Sequence, residues 1–416
     1  MNSPNTLERS KTDRILSQAA AEFGTPTYVY FNSIIQNRVE QLNRTLGQYF
    51  SLSYAVKSNP NPSLLNALSN YLDLLDISSI GEMQLATNAG WPSTRISFTG
   101  PGKRDYELKE AICAGVGELV VESPQEAYRA NAICASINMT QDILLRIAPP
   151  MVPKGFGDQM AGKPCAFGID YEVVEELLPE ILALSHLNLV GLHIYSGTQC
   201  LVDEAICENY RQFIGIFRSI CERFNLSPRK LIFGSGLGLP YHDSDKDLNL
   251  ENISKNISAD LIAMKSEPRY TNTQLVLELG RYLVGPAGYF LTQVVATKLS
   301  RGVQIAICDG GMNNHLPASG NFGMVIQRNY RMHKVGDKGA EEETNLTGPL
   351  CTSIDRIANK ILLPKLEPGD LIAIHNSGAY GLTASPIHFI SHKIPREILV
   401  QKNQLQNISR SWESFP

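Results

Sequence analysis

The sequence predicts a closed parallel (β/α)8 barrel followed by a smaller, mostly β domain. Eight short apolar runs, at 52–56, 74–77, 95–98, 118–121, 143–147, 188–194, 231–234 and 275–278, alternate with amphipathic helical patterns. An open doubly wound sheet alternates in the same way, but a count of eight favours closure. After Gly288 the alternation stops, and strand-like runs follow one another across loops such as Glu367-Pro-Gly-Asp370. The boundary therefore falls near 280–290. It leaves a segment 1–31 that packs with the β domain, a barrel over 32–282 and a β domain over 283–416.

Taken in order, Thr12 to Phe23 reads as a helix capped near Thr12 and closed by Gly24. Thr27 to Phe31 reads as a strand. Asn32 caps the next helix, whose Ile35, Val39, Leu42 and Leu46 share one face. Inside the barrel, Leu64, Leu65, Leu68 and Tyr71 mark one crossover helix; Val173, Leu177, Leu178, Ile181 and Leu182 mark another. In the second domain the strand-like runs are Leu291–Lys298, Val303–Cys308, Leu371–Ile374, His388–His392 and Glu397–Val400. Gln327 to Leu346 carries most of the local charge and reads as a loop or insertion, a flap over the active-site mouth. The polar tail after Gln401 reads as loose.

Composition excludes several function classes. The 416 residues are 43% hydrophobic and 19% charged, with a formal net charge of -4, which is ordinary globular composition. Charge of both signs is mixed along the chain without a basic block, so nucleic acid is not an expected partner. No apolar run approaches the roughly 18 residues of a membrane span. The first residues lack the basic start and apolar core of a signal peptide. Eight scattered cysteines without a Cys-x-x-Cys pair or a histidine cluster argue against a metal site and a disulfide framework, and for the cytoplasm.

Chemistry in a (β/α)8 barrel sits at the C-terminal ends of the strands. Reading the residue at each predicted end gives Lys57, Asp76, Thr99, Glu122, Arg146, His193, Gly234 and Glu278. Five are charged, in a chain only one-fifth charged. Lys57 closes an apolar run and is expected to be desolvated on one side, which favours its neutral, nucleophilic amine. Alone it reads more readily as the point where the chain surfaces, since lysines are mostly exposed; the other seven ends weigh against that. Gly234-Ser-Gly-Leu-Gly238 is either a plain turn or a loop whose N–H groups approach an anion. Ser196 adds a hydroxyl suited to phosphate. Glu278-Leu-Gly-Arg281 is either a local ion pair or two ligand contacts. An amine nucleophile, a phosphate cradle, a carboxylate and a flat histidine together suggest pyridoxal phosphate (PLP).

Eight motifs in order then identify a resemblance. They are Tyr54-Ala-Val-Lys57-Ser-Asn, Asp76-Ile-Ser-Ser-Ile-Gly-Glu82, His193-Ile-Tyr-Ser196, Gly234-Ser-Gly-Leu-Gly-Leu-Pro-Tyr241, Glu278-Leu-Gly-Arg281, Cys308-Asp-Gly-Gly311, Gly348-Pro-Leu-Cys351 and Gly378-Ala-Tyr380-Gly. The chain resembles the fold-type III PLP-dependent decarboxylases, the diaminopimelate and ornithine decarboxylase family, over nearly its whole length. The resemblance implies that Lys57 carries the Schiff base, that His193 stacks on the pyridine face and that Glu278 keeps the ring nitrogen protonated. It places Ser196, Gly234, Ser235, Gly236, Gly280, Arg281 and Tyr380 around the cofactor, and Asp76 and Arg146 on its lysine side. It makes Cys351 the general acid that protonates Cα, supplied by the partner subunit of a homodimer. It assigns Arg281, Arg328 and Thr352 to substrate.

One departure bears on the substrate. Diaminopimelate and ornithine enzymes follow the cysteine with Glu or Asp, which meets a distal ammonium; this chain has Thr352. A distal ammonium left unpaired in a dry site is costly, which disfavours lysine, ornithine and diaminopimelate. Leu279 in place of a proline and Ser235 in place of a glycine leave the cofactor assignment standing. The stretches Gly157–Gly168 and Asn313–Gly323 are similar to a biosynthetic branch that includes glutamyl-[acyl-carrier-protein] and exosortase-associated decarboxylases. The expected activity is therefore α-decarboxylation of an amino acid or of a carrier-bound aminoacyl group. The alternatives are a diaminopimelate or other free amino acid decarboxylase and a PLP-binding protein without turnover. Retention of both Lys57 and Cys351 counts against the last.

Overall fold

The computed structural model describes residues 6–320, 327–336 and 339–410. The chain divides into two units. Among the described residues, one comprises Arg38–Leu239 and Lys246–Tyr282; the other comprises those up to Asn37, the excursion Pro240–Asp245 and those from Leu283 on.

The first unit is the barrel. Its strands are β1 (Ser51–Ala55), β2 (Leu74–Ile77), β3 (Ile96–Phe98), β4 (Glu118–Val121), β5 (Gln141–Ala148), β6 (Leu187–Ile194), β7 (Lys230–Gly234) and β8 (Gln274–Leu279). All neighbouring pairs are parallel, in the order β4-β3-β2-β1-β8-β7-β6-β5, and pairing of β4 with β5 closes the ring. Apolar side chains fill the interior, with Leu74, Val120, Leu144, Val190, Ile232 and Val276 forming one cluster. At the start of the strands Lys230 of β7 forms an ion pair with Glu118 of β4, whose second oxygen accepts from Ser97 Oγ at 3.0 Å. Crossover helices begin where the sequence supplies caps: Asn61, Ser79 and Ser123 each accept from a backbone N–H of the first turn.

The second unit is built on a sheet. Its 13-residue strand Gly288–Ser300 pairs with Thr27–Phe31, Val303–Cys308 and Leu371–Ile374. Thr27–Phe31 pairs in turn with Arg396–Gln401, so the N-terminal strand lies inside this sheet. The helix Thr6–Phe23 packs Ile15, Leu16 and Ala19 against Val29, Leu291 and Ile398.

Four sequence expectations are corrected here. The first helix starts at Thr6, a turn and a half before Thr12, because four of the six residues from Thr6 to Lys11 (Leu7, Glu8, Arg9 and Lys11) are good helix formers. His388–His392 is not a strand: Ile390 and Ser391 take left-handed φ values of +60° and +58°, within a 3-10 turn. The charged segment from Gln327 to Leu346 contains two strands, Met332–Lys334 and Glu341–Thr347; residues 337–338 of it lie outside the described residues. Only Thr344 and Leu346 of Glu341–Thr347 are buried, so the strand shows almost no apolar alternation. The tail is also ordered in part, since Gln404–Asn407 forms a hairpin with Arg396–Gln401; 411–416 lie outside the described residues, as do 1–5 and the end of the Asn313–Gly323 stretch.

Among the described residues, no helix is long and apolar enough to cross a membrane, and no group of three or more His, Cys, Asp or Glu side chains is placed to hold a metal ion. All eight cysteines are free thiols.

Candidate active site

The polar strand ends of the barrel converge at its C-terminal mouth. Lys57 lies in a 3-10 turn, Val56–Ser58, that follows β1, with both turn neighbours buried. The turn rotates Lys57 out of the strand, so the side chain is exposed where the sequence suggested partial desolvation. Its Nζ lies 5.8 Å from the centroid of the Tyr195 ring.

Asp76 at the end of β2 is 1% exposed. Thr99 Oγ1 donates to its Oδ1, whereas its Oδ2 has no hydrogen-bond partner. Burial, reinforced by Glu278, pushes its carboxyl up to about 7. Across the mouth, His193 of β6 and Glu278 of β8 are both buried, and His193 Nε2 lies 3.1 Å from Glu278 Oε2. Burial, with the charge of Arg146, brings His193 down to about 3, so the ring is neutral. A neutral ring facing a carboxylate donates from Nε2, which leaves Nδ1 as a lone-pair acceptor. That buried atom has no partner. Burial also raises Glu278 above the usual carboxylate range.

Arg146, from β5, is held by Glu122 of β4 at 3.0 Å, and its guanidinium lies 4.8 Å from the Phe167 ring centroid. Glu122 also accepts from Gly100 N at 2.6 Å and Gly168 N at 3.1 Å. Burial pushes Glu122 up, but Arg146 and Lys103 outweigh it and hold the carboxyl below its usual range. Behind it, Lys103 donates to Glu126 at 2.6 Å and to the carbonyls of Gly100 and Val120, both at 2.8 Å. Glu122 is thus a positioning group for Arg146. Its place at a strand end marked it in the sequence, but its partner lies on another strand. Glu82, which caps Ser78 N at 2.7 Å on the helix after β2, is a further acid near Asp76 and Lys57, and burial raises it to about 7.

The remaining polar groups of the mouth sit on two loops. After β6, Ser196 is buried and donates to Asn209 Oδ1 at 2.8 Å. After β7, Gly236 has φ +68°, and a Cβ there would meet the Phe156 ring. A Cβ on Gly234 would strike the Tyr195 ring, so both positions require glycine. Ser235 N donates to the Glu278 carbonyl at 3.0 Å and ties this loop to β8. Gly280 and half-buried Arg281 follow directly.

The other predicted residues lie in the second unit. Tyr380 has φ +53°, unusual for an aromatic residue and, in the turn Ser377–Gly381, a mark of a constrained position. Arg328, read from sequence as a substrate contact, donates to Asp245 Oδ1 and Ser244 Oγ, both at 2.7 Å. Cys351 is exposed and Thr352 half-buried. Their loop is fixed by Asp355, 3% exposed, whose carboxylate accepts from Met312 N at 2.7 Å and Leu350 N at 2.8 Å. Gly311 and Gly348 press so closely on that carboxylate that a Cβ on either would clash with it. A lone acid four residues after a cysteine gave no sequence signal for this role.

The barrel residues fit PLP. An amine, a glycine-rich loop with an adjacent buried hydroxyl, and two orphaned buried polar atoms, Asp76 Oδ2 and His193 Nδ1, surround one mouth. Comparison with known proteins agrees. A family profile described as pyridoxal-dependent decarboxylase, pyridoxal binding domain, matches residues 32–285. L-glutamyl-[BtrI acyl-carrier protein] decarboxylase of Niallia circulans is 32% identical over 93% of this chain and 91% of its own. Diaminopimelate decarboxylase of Aquifex aeolicus is 28% identical over 95% and 91%. The structure of diaminopimelate decarboxylase from Helicobacter pylori complexed with L-lysine superposes with a TM-score of 0.84 at 26% identity, covering 94% of this chain and 95% of that one.

Proposed function

The chain belongs to the pyridoxal-dependent decarboxylases, and from this premise we propose that it removes the α-carboxyl group of a carrier-protein-bound aminoacyl group, such as a glutamyl group. Thr352 carries the reading, because it stands after Cys351 where a distal ammonium would need a carboxylate. An aminoacyl group tethered through an amide or thioester has no distal charge to match. The glutamyl-carrier relative supports the same class of substrate.

When bound, PLP would supply an electron-accepting ring for the electron pair of the bond to CO₂. Lys57 provides the amine that attaches it. Glu278, buried beside the neutral His193, keeps a proton on the ring nitrogen, and the apolar setting strengthens that interaction. His193 presents its flat face to the ring. Ser196, the Gly234–Gly236 loop and Tyr380 bind the phosphate; Asp76 and the Glu122-anchored Arg146 fix the lysine side. Gly280 and Arg281 complete the cofactor's surroundings, and Arg281 and Arg328 serve substrate, the latter after exchanging its Asp245 partner. Cys351, supplied by the second copy of a homodimer, delivers the proton to Cα as general acid.

The test measures CO₂ release from a glutamyl-carrier protein and from free glutamate, lysine, ornithine and diaminopimelate. Turnover of free diamino acids without turnover of any aminoacyl-carrier protein refutes the proposal and leaves a diaminopimelate-type decarboxylase, the activity named for the Aquifex and Helicobacter relatives.

A further inference from the structure

The helix Asp203–Arg223 lays its apolar face on the barrel, with Ile206, Tyr210, Phe213 and Phe217 buried. Asn209 sits on that face at 0% exposure. An amide there forfeits the burial an aliphatic side chain would contribute, unless both of its ends are used. Only one is. Oδ1 accepts the Ser196 hydroxyl at 2.8 Å, and Nδ2 is buried without a partner. The next residue grips the other half of the same mouth, since Tyr210 OH donates to the Ser235 carbonyl at 2.9 Å.

We propose that Asn209 is a positioning residue for the PLP phosphate, acting through Ser196; this rests on the assignment of Ser196 to the phosphate cradle. An anion only accepts, so the cradle must present hydrogens. With the hydroxyl hydrogen committed to Oδ1, Ser196 has none to offer. Turning the amide end for end reverses the bond: Nδ2 donates to Ser196 Oγ, and the hydroxyl hydrogen is released toward the anion. The amide thus sets the direction of the serine O–H. A hydrophobic residue would leave it undirected, and a carboxylate would hold it permanently away.

The experiment strips PLP from the full-length protein and titrates it back, following the visible absorbance of the lysine-bound cofactor, with PLP and with pyridoxal, which lacks the phosphate. Asn209→Ala is expected to weaken PLP binding roughly tenfold, the scale of one hydrogen bond to a charged group, with pyridoxal binding unchanged. The double variant Asn209→Ala/Ser196→Ala should bind PLP no more weakly than Ser196→Ala alone. Asn209→Asp, which keeps the shape, repeats the measurement should the alanine variant not fold, and loses more PLP affinity. Equal weakening of PLP and pyridoxal, unchanged PLP affinity, or full additivity with Ser196→Ala overturns the proposal. If Ser196→Ala itself does not separate PLP from pyridoxal, the cradle assignment fails first.

Discussion

Glu122 supports a quantitative prediction, because each of its bonds is accounted for. Its carboxylate receives Arg146 Nη1 at 3.0 Å, Gly100 N at 2.6 Å and Gly168 N at 3.1 Å. Glu122→Ala leaves the Arg146 guanidinium, 5% exposed, without a counter-charge. Stranding one member of a buried ion pair costs about 3–5 kcal/mol. The two N–H groups add little, because both bonds are partly open to solvent. Glu122→Gln keeps an oxygen of the same shape but loses the charge, so roughly half of that loss is expected. The loss is specific to the pair, and Glu122→Ala/Arg146→Met should regain most of it. Urea unfolding of the three variants, read as shifts in midpoint at constant slope, provides the assay. A loss below about 1 kcal/mol in Glu122→Ala, or a double variant as unstable as the single, refutes the argument that Glu122 exists to hold Arg146.

Thr352→Glu restores a carboxylate beside Cys351 and should move kcat/KM for diaminopimelate relative to a glutamyl-carrier protein upward by about tenfold or more, from one charge-assisted pair; an unchanged ratio argues that Thr352 does not select substrate. His315, 2% exposed, accepts Ala318 N at Nδ1 and so donates from Nε2 to Ser377 Oγ. Burial lowers it to about 3, so the unfolded chain takes up this proton first, and stability falls as pH drops from about 6.5 towards 3. His315→Gln should flatten that dependence by about 1.4 kcal/mol per pH unit, and parallel acid-unfolding curves count against it. Lys230→Met strands buried Glu118 and should cost about 3–5 kcal/mol, largely recovered in Lys230→Met/Glu118→Leu; thermal melting of the pair of variants decides.

The barrel was legible because its strands are short apolar runs separated by helical periodicity, and burial on both faces leaves no alternation to confuse them. All eight predicted runs are strands, with edges displaced by at most two residues and 74–77 and 118–121 matched at both ends. The β unit was harder to read. Glu341–Thr347 keeps a strand's backbone with only two buried side chains, so pairing with Val303–Cys308 and Arg356–Pro364, and not its own composition, makes it a strand. Within the site, residues that end a strand were found and those that support them were not. Asn209 lies mid-helix, and Asp355 acts through backbone N–H groups; neither contact leaves a periodic trace in one sequence.

Charge at a strand end is not by itself a sign of chemistry, and the two ends of this barrel show why. At the start of the strands, Lys230 meets Glu118, whose other oxygen takes the Ser97 hydroxyl. Both oxygens are used, so the group closes on itself and serves the fold. At the opposite end, Glu122 is likewise fully engaged by Arg146 and two backbone amides. Asp76 and His193 differ. Each is buried, each is held at one atom by a neighbour, and each keeps a second atom, Oδ2 and Nδ1, without a partner. A buried orphan costs about 1–3 kcal/mol, and a cofactor that hydrogen-bonds to these two atoms would recover it. Asp76 and His193 thus keep unused hydrogen-bonding capacity at the mouth, whereas the Glu122 carboxylate has none to spare.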